Sequence, residues 1–181
     1  KITKIRISYF FNLNLTNFFN QSFFSLESFS FTLIFPSNKK NKIKINHIGD
    51  FKGLPESVQK DIAKAIEDTK DFTGMTVNLA INYGGRNEIV RGIKKIVDNN
   101  IKSENIDEKL VSQYMDMPES PDVDLLIRTG GEKRLSNYLL WHIPYAEQVY
   151  TDTLWPDYSN EEFYSNIEIF QHRNRRFGAE K

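Results

Sequence analysis

From residue 41 onward, short apolar runs of strand length alternate with helical patterns, and that alternation restricts the fold more than any other feature of the chain. Ile43, Ile45 and Ile48 predict a strand closed by Gly49-Asp50. Pro55 opens a helix with Val58, Ile62, Ala65 and Ile66 on one face. Met75 to Ile81 reads as a buried strand that includes Val77, Leu79 and Ala80. Asn82-Tyr83-Gly84-Gly85 then turns the chain into a second helix, whose apolar positions are Ile89, Ile93, Ile96 and Val97. Asp107 caps a short helix containing Leu110 and Val111. Val123 to Ile127 is almost wholly apolar, as a strand covered on both faces should be. A helix over Leu139 to Ile143, a short strand at Val149-Tyr150 and a last helix from about Ser159 to His172 complete the series. Strands separated by such helices are joined by right-handed crossovers. The predicted fold class is therefore α/β, a parallel β-sheet flanked by helices.

The first forty residues obey a different grammar. Most of the fourteen phenylalanines lie between Phe10 and Phe35, and Glu27 is the single acidic residue there. Neither a helical period nor strand alternation is sustained. Residues 1–40 are thus expected to be an edge hairpin, a hydrophobic lid, or sequence outside the fold, such as a shifted reading frame in AT-rich DNA. Residues 41–181 carry the domain.

With 181 residues, one domain with a real core is expected. Lys plus Arg equals Asp plus Glu at 24 each, so no bulk charge favours nucleic acid. The lack of cysteine excludes disulfide scaffolds, thiolate metal sites and cysteine nucleophiles, and fits a cytoplasmic location. His47, His142 and His172 are not spaced as zinc ligands. Asn12, Asn14, Asn17, Asn20 and Gln21 interrupt the Phe-rich stretch, so neither a membrane span nor a clean signal peptide is expected. The chain begins at Lys1, which fits a fragment of a longer protein.

Ligands of such sheets bind at the carboxyl ends of strands. The loop after the third strand reads Ile127-Arg128-Thr129-Gly130-Gly131-Glu132-Lys133-Arg134-Leu135-Ser136-Asn137. Its glycines permit a sharp turn and a close approach to a ligand. Ser136 or Asn137 is expected to cap a following helix. Arg128 and Arg134 can each grip a phosphate through a forked pair of hydrogen bonds. The combination suits a diphosphate. The plainer alternative pairs Arg128 with Asp122 or Asp124 and leaves Lys133 and Arg134 solvated. Glu147, just before the next strand, is a surface residue or a Mg²⁺ ligand beside that loop. Asn82 to Arg86 is a second glycine turn, read as structural.

The stretch Asp124-Leu125-Leu126-Ile127-Arg128-Thr129-Gly130-Gly131-Glu132, continued by Arg134 to Trp141, resembles the signature of cis-prenyltransferases of the undecaprenyl diphosphate synthase family. Tyr145-Ala146-Glu147, Leu154-Trp155-Pro156-Asp157 and Arg175-Arg176-Phe177-Gly178 extend the resemblance downstream. Ile48-Gly49-Asp50, Leu54-Pro55 and Asn82 to Ile89 extend it upstream, in order and spacing. It covers about residues 42 to 180 and implies the cis-prenyltransferase fold, incomplete at the N-terminus. The implied activity is addition of isopentenyl diphosphate in cis to an allylic diphosphate such as farnesyl diphosphate, with Mg²⁺ as cofactor. By matching position, Arg128, Arg134 and Ser136, with Leu135 in the same loop, would hold isopentenyl diphosphate, and Glu147 would bind Mg²⁺. The family is typically a homodimer, and Arg175, Arg176 and Gly178 would help complete the neighbour's site. A lipid product implies membrane proximity without a span.

The family's Met-Asp-Gly-Asn-like turn, which supplies the catalytic aspartate, has no counterpart here. Phe24-Ser25-Leu26-Glu27-Ser28-Phe29 only faintly echoes its Phe-Ser-Thr-Glu-Asn-Trp block. The expectation is an enzyme by family whose chain as given is inactive alone. The alternatives are a non-catalytic partner subunit and an unrelated phosphate-binding module. The latter is disfavoured by the lack of a P-loop or dinucleotide motif.

Overall fold

The computed structural model describes residues 7–10, 42–118 and 120–173. The described residues divide into two compact units, residues 42–92 with 115–117, and residues 7–10 with 93–114, 118 and 120–173.

In the first unit, β2 (Lys44–Ile48) and β3 (Thr76–Ala80) pair in parallel, Lys44 opposite Thr76 and Ile48 opposite Ala80. The connection between them contains α1 (Glu56–Thr69), which buries Val58, Ile62, Ala65 and Thr69. Leu54, Val58 and Ile62 form a cluster with Phe51, Ile66 and Ile81 against it. Burying Ile62 alone contributes roughly 2 kcal/mol. Helix and strand are also stitched by one hydroxyl. Thr69 Oγ1 donates to the Ala65 carbonyl at 2.8 Å and accepts from the Ile45 N–H at 3.0 Å. The expected strand and helix are both present, but β3 is half-buried rather than buried, and Met75 just before it is exposed.

Helix α2 (Gly85–Asp98) follows the second glycine turn as expected, yet its buried stripe differs from the apolar one. Gly85, Glu88, Gly92 and Ile96 are buried, whereas Ile93 is 51% and Val97 65% exposed. Spacings of three, four and four residues define that face. Two glycines allow close approach, and the carboxylate between them is satisfied by its own partners.

In the second unit, β1 (Ile7–Phe10), β4 (Leu125–Arg128) and β5 (Glu147–Tyr150) form a parallel sheet in the order β1-β4-β5. β1 belongs to the Phe-rich segment, and the rest of that segment lies outside the described residues up to Lys42. All four residues of β4 are buried, which agrees with a strand covered on both faces. Leu125, Ile127 and Val149 pack with Phe170 of α4 (Asn160–Gln171), joined by Tyr158 and Phe163. The Ser159 hydroxyl accepts from the Glu162 N–H at 3.1 Å and starts α4, while α3 (Glu108–Gln113) is started by Asp107. Every strand pair among the described residues is parallel, and the α/β fold class holds.

The helix expected over Leu139 to Ile143 does not form. Residues 135–146 are a run of turns, closed by Tyr138 N–H to Leu135 O at 3.0 Å, His142 N–H to Leu139 O at 2.9 Å and Ala146 N–H to Ile143 O at 3.0 Å. The apolar run is short, and Pro144 disfavours the helical region at the residue before it. Among the described residues no helix is long and apolar enough to cross a membrane.

Candidate functional site: the loop at the carboxyl end of β4

The loop begins where β4 ends. Gly130 and Gly131 adopt φ of +86° and +76°, a region that side chains rarely enter, so the turn requires glycine. Their N–H groups are not open to a ligand. Gly130 donates to Thr153 O and Gly131 to Thr151 O, both at 2.9 Å, and Thr151 N–H donates to Arg128 O at 3.0 Å. Ser136 and Asn137, expected to cap a helix, lie instead at φ of 45° and 64°, with Leu139 at 42°. An N-cap needs extended backbone, so the expected helix N-terminus is absent from this loop. Leu139 carries a conformational cost on the order of 1 kcal/mol, a sign that the surrounding structure holds the loop in one shape.

The positive charge of the loop therefore comes from side chains. Arg128 is buried, 5% exposed, and its Nη1 donates to the Arg134 carbonyl and, at 3.1 Å, to Ser136 Oγ. One guanidinium thus ties the strand end to both later members of the loop. Burial, and then the neighbouring Arg134 charge, push the Arg128 guanidinium below its usual value. Arg134 itself is exposed and pairs with Glu132. Such a pair is weak and easily exchanged for a better anion. Leu135 is half-buried and Ser136 exposed. The structure brings Arg128, Arg134, Leu135 and Ser136 together.

Glu147 is not brought to them. It starts β5 opposite Leu125, whereas Arg128 ends β4 opposite Tyr150. Three strand residues separate the two levels, about 10 Å. Side chains alternate along a strand, so Glu147 also shares the face of Leu125 and Ile127 and not that of Arg128. Its Oε2 accepts from Arg173 Nη1 at 2.8 Å, which holds it beside the end of α4. Mg²⁺ is bound through carboxylate and phosphate oxygens. Glu147 supplies one carboxylate that Arg173 already neutralises, and no group of three or more His, Cys, Asp or Glu able to hold a metal occurs among the described residues. The described residues of one chain do not assemble a Mg²⁺ site beside the loop. Arg175, Arg176 and Gly178 lie outside the described residues.

A second polar centre, in the other unit, went unread in the sequence. Glu88 is fully buried. It accepts from the Tyr83 hydroxyl and, at 3.0 Å, from the Asp116 N–H. Asp116 Oδ2 accepts from the Gly49 N–H at 2.9 Å and from Arg91. Asn82 Nδ2 donates to Asp50 O at 2.9 Å, which locks the carboxyl ends of β2 and β3 together. His47 Nε2 donates to Ile81 O at 2.9 Å, and burial lowers its pKa below 6.5. Gly85 and Gly92, seven residues apart with Glu88 between them, are the sequence signal that marked this face.

Parallel strands with an arginine-centred loop at their carboxyl end define an α/β protein with a positively charged turn where such sheets bind ligands. The chain belongs to the undecaprenyl diphosphate synthase family, whose prenyltransferase sequence model matches residues 15–178. It is 49% identical over 138 residues to an isoprenyl transferase of Treponema denticola, covering 76% of this chain and 60% of that protein. It is 44% identical over 144 residues to the ditrans,polycis-undecaprenyl-diphosphate synthase ((2E,6E)-farnesyl-diphosphate specific) of Photorhabdus laumondii, covering 77% and 57%. A crystal structure of a probable undecaprenyl diphosphate synthase from Campylobacter jejuni matches with a TM-score of 0.71 at 39% identity, over 78% of this chain and 65% of that one. Lavandulyl diphosphate synthase from Lavandula x intermedia, in complex with dimethylallyl diphosphate, matches with a TM-score of 0.72 at 34% identity, over 76% and 61%. The chain spans about 60% of the length of the curated relatives it matches.

Proposed function

We propose that the loop Arg128–Ser136 binds isopentenyl diphosphate, as the elongation half of a cis-prenyltransferase that adds it to an allylic diphosphate such as farnesyl diphosphate. The observation that carries this reading is the buried Arg128 guanidinium bonded to Arg134 O and Ser136 Oγ at the end of β4. A cation fixed in low-dielectric surroundings interacts with phosphate more strongly than one in water. It also presets the loop, so little ordering is left to the moment of binding. Arg134 exchanges Glu132 for phosphate oxygens, and the Ser136 hydroxyl supplies a further donor. Elongation needs two diphosphates held in reacting alignment, and a preset loop supplies that for one of them.

The remainder of the reading rests on the family resemblance. It comprises Glu147 as a Mg²⁺ ligand, a homodimer with Arg175, Arg176 and Gly178 reaching the neighbour's site, a cytoplasmic location near the membrane, and an inactive isolated chain. It also takes residues 41–181 as the C-terminal two-thirds of the domain, to which β1 of the first forty residues adds a strand beside β4. The test is titration of the 181-residue chain with isopentenyl diphosphate, together with incorporation of the labelled compound into lipid in the presence of farnesyl diphosphate and Mg²⁺. Binding that Arg134→Ala weakens at least tenfold, without lipid product, agrees with a half-site. Polyprenyl product from this chain alone would overturn its assignment as inactive. The absence of binding would overturn the site.

A further inference from the structure

We infer that Glu162 is a positioning residue for the diphosphate loop, acting through Thr151 and Thr153 on the backbone of Gly130 and Gly131. The inference rests on the reading of the 128–136 loop as a diphosphate site.

The connection is continuous. Beyond the paired strands, residues 151–153 run alongside the glycine turn and take up its amides, Gly131 on Thr151 O and Gly130 on Thr153 O, both at 2.9 Å. The two threonine hydroxyls converge on one atom. Thr151 Oγ1 donates to Glu162 Oε1, and Thr153 Oγ1 donates to the same oxygen at 3.1 Å. The Thr153 N–H closes the turn onto Thr151 Oγ1 at 3.2 Å. Glu162 sits in the first turn of α4, where its own N–H is fixed by the Ser159 hydroxyl. The far end of the helix is anchored by Phe170 in the core with Leu125, Ile127 and Val149.

Two successive glycines are the most freely moving backbone a loop can contain. A Cβ at Gly130 would meet only the Leu154 side chain, at 3.8 Å, and one at Gly131 only Asp152 Oδ1, at 3.3 Å. Their conformation is set by the two carbonyls that receive their amides. Those carbonyls are held by the hydroxyl–carboxylate clasp and by Thr151 N–H on Arg128 O. A carboxylate accepts two hydroxyls more strongly than a neutral oxygen does, and it selects one χ1 rotamer for each threonine, whose β-branched side chains have few alternatives. The clasp thereby carries the rigidity of α4 to the loop that presents Arg128 and Ser136.

The experiment measures the affinity of the full 181-residue chain for inorganic diphosphate by calorimetry. It also measures hydrogen exchange at the individual Gly130 and Gly131 amides by NMR. Glu162→Ala is expected to raise the Kd about tenfold, and Glu162→Gln, which keeps one acceptor, about threefold. In the alanine variant the two glycine amides should exchange at least about tenfold faster, while those of Leu126 and Ile127 keep their rates. Thr151→Val combined with Thr153→Val should reproduce the loss and add nothing to Glu162→Ala. That pair carries the test if the Glu162 variants do not fold. Asp107→Ala weakens the start of α3 without touching Glu162 or the threonines and should leave the Kd within about twofold. Unchanged affinity or unchanged glycine exchange in the clasp variants would overturn the proposal, as would an equal loss in Asp107→Ala. Wild-type chain that does not bind diphosphate, or binds it equally well after Arg128→Ala, would refute the site reading itself and this inference with it.

Discussion

Replacing Arg128 by lysine keeps the positive charge and removes the fork. Both bonds leave the same Nη1, which stands one bond farther from the backbone than a lysine ammonium, so lysine cannot reach both Arg134 O and Ser136 Oγ. Both bonds in the native protein come from a charged donor that is 5% exposed. A hydrogen bond of that kind contributes about 1.5–3 kcal/mol. Losing one of the two and weakening the other sets the expected stability cost at about 2 kcal/mol. The same change releases the loop, and its effect on diphosphate binding should be on the order of a hundredfold if the loop geometry is what recognises the ligand. Arg128→Ala should cost more, since it also leaves a cavity and a carbonyl without a donor. Urea denaturation read by tryptophan fluorescence gives the stability, and calorimetric titration with isopentenyl diphosphate gives the affinity. The refuting result is an Arg128→Lys chain that binds within about twofold of wild type, because charge alone would then suffice and the buried fork would be a structural feature only.

Gly49 has φ of +128°, and a Cβ there would stand 2.3 Å from Ile81 O and 2.9 Å from Asn82 O. Gly49→Ala should therefore destabilise the unit of β2 and β3 by at least about 3 kcal/mol in urea, and a loss below 1 kcal/mol would refute the close approach. The lowered pKa of His47 makes stability pH-dependent. The unfolded chain takes up a proton near 6.5 while the folded chain resists it, so this contribution is complete above that pH and is lost as pH falls through the folded value. Thermal melts between about pH 7.5 and 5 should show a loss that His47→Gln reduces, and identical pH profiles would contradict it. Asp107→Ala removes the acceptor of the Leu110 N–H at 2.7 Å and should cost about 1 kcal/mol, visible as faster amide exchange confined to α3.

The alternation of strands and helices was legible in the residues because each signal is local. Asp107 and Ser159 mark their helices through bonds that span three residues, and the apolar block at the end of β4 declares a strand buried on both faces. The arginine loop was legible for the same reason: Arg128, Arg134 and Ser136 are close in sequence and stay close in space. What stayed hidden depended on partners distant along the chain. Nothing local along the chain marks Glu88 as a buried residue of its helix. It is buried because the Tyr83 hydroxyl and an amide 28 residues away satisfy it. Glu147 is nineteen residues from Arg128 along the chain, and only strand register decides that it lies at the other end and on the other face of the sheet. The clasp of Glu162 on Thr151 and Thr153 is likewise invisible in the sequence, where the three are ordinary polar residues. By itself the sequence determined most of the elements, though not β1 or the turns of residues 135–146, together with the family and the charged loop, all properties of contiguous residues. Tertiary structure alone decided which carboxylates are buried, which are paired and which face the loop, because desolvation and register are set by what packs against a side chain and not by its neighbours along the chain.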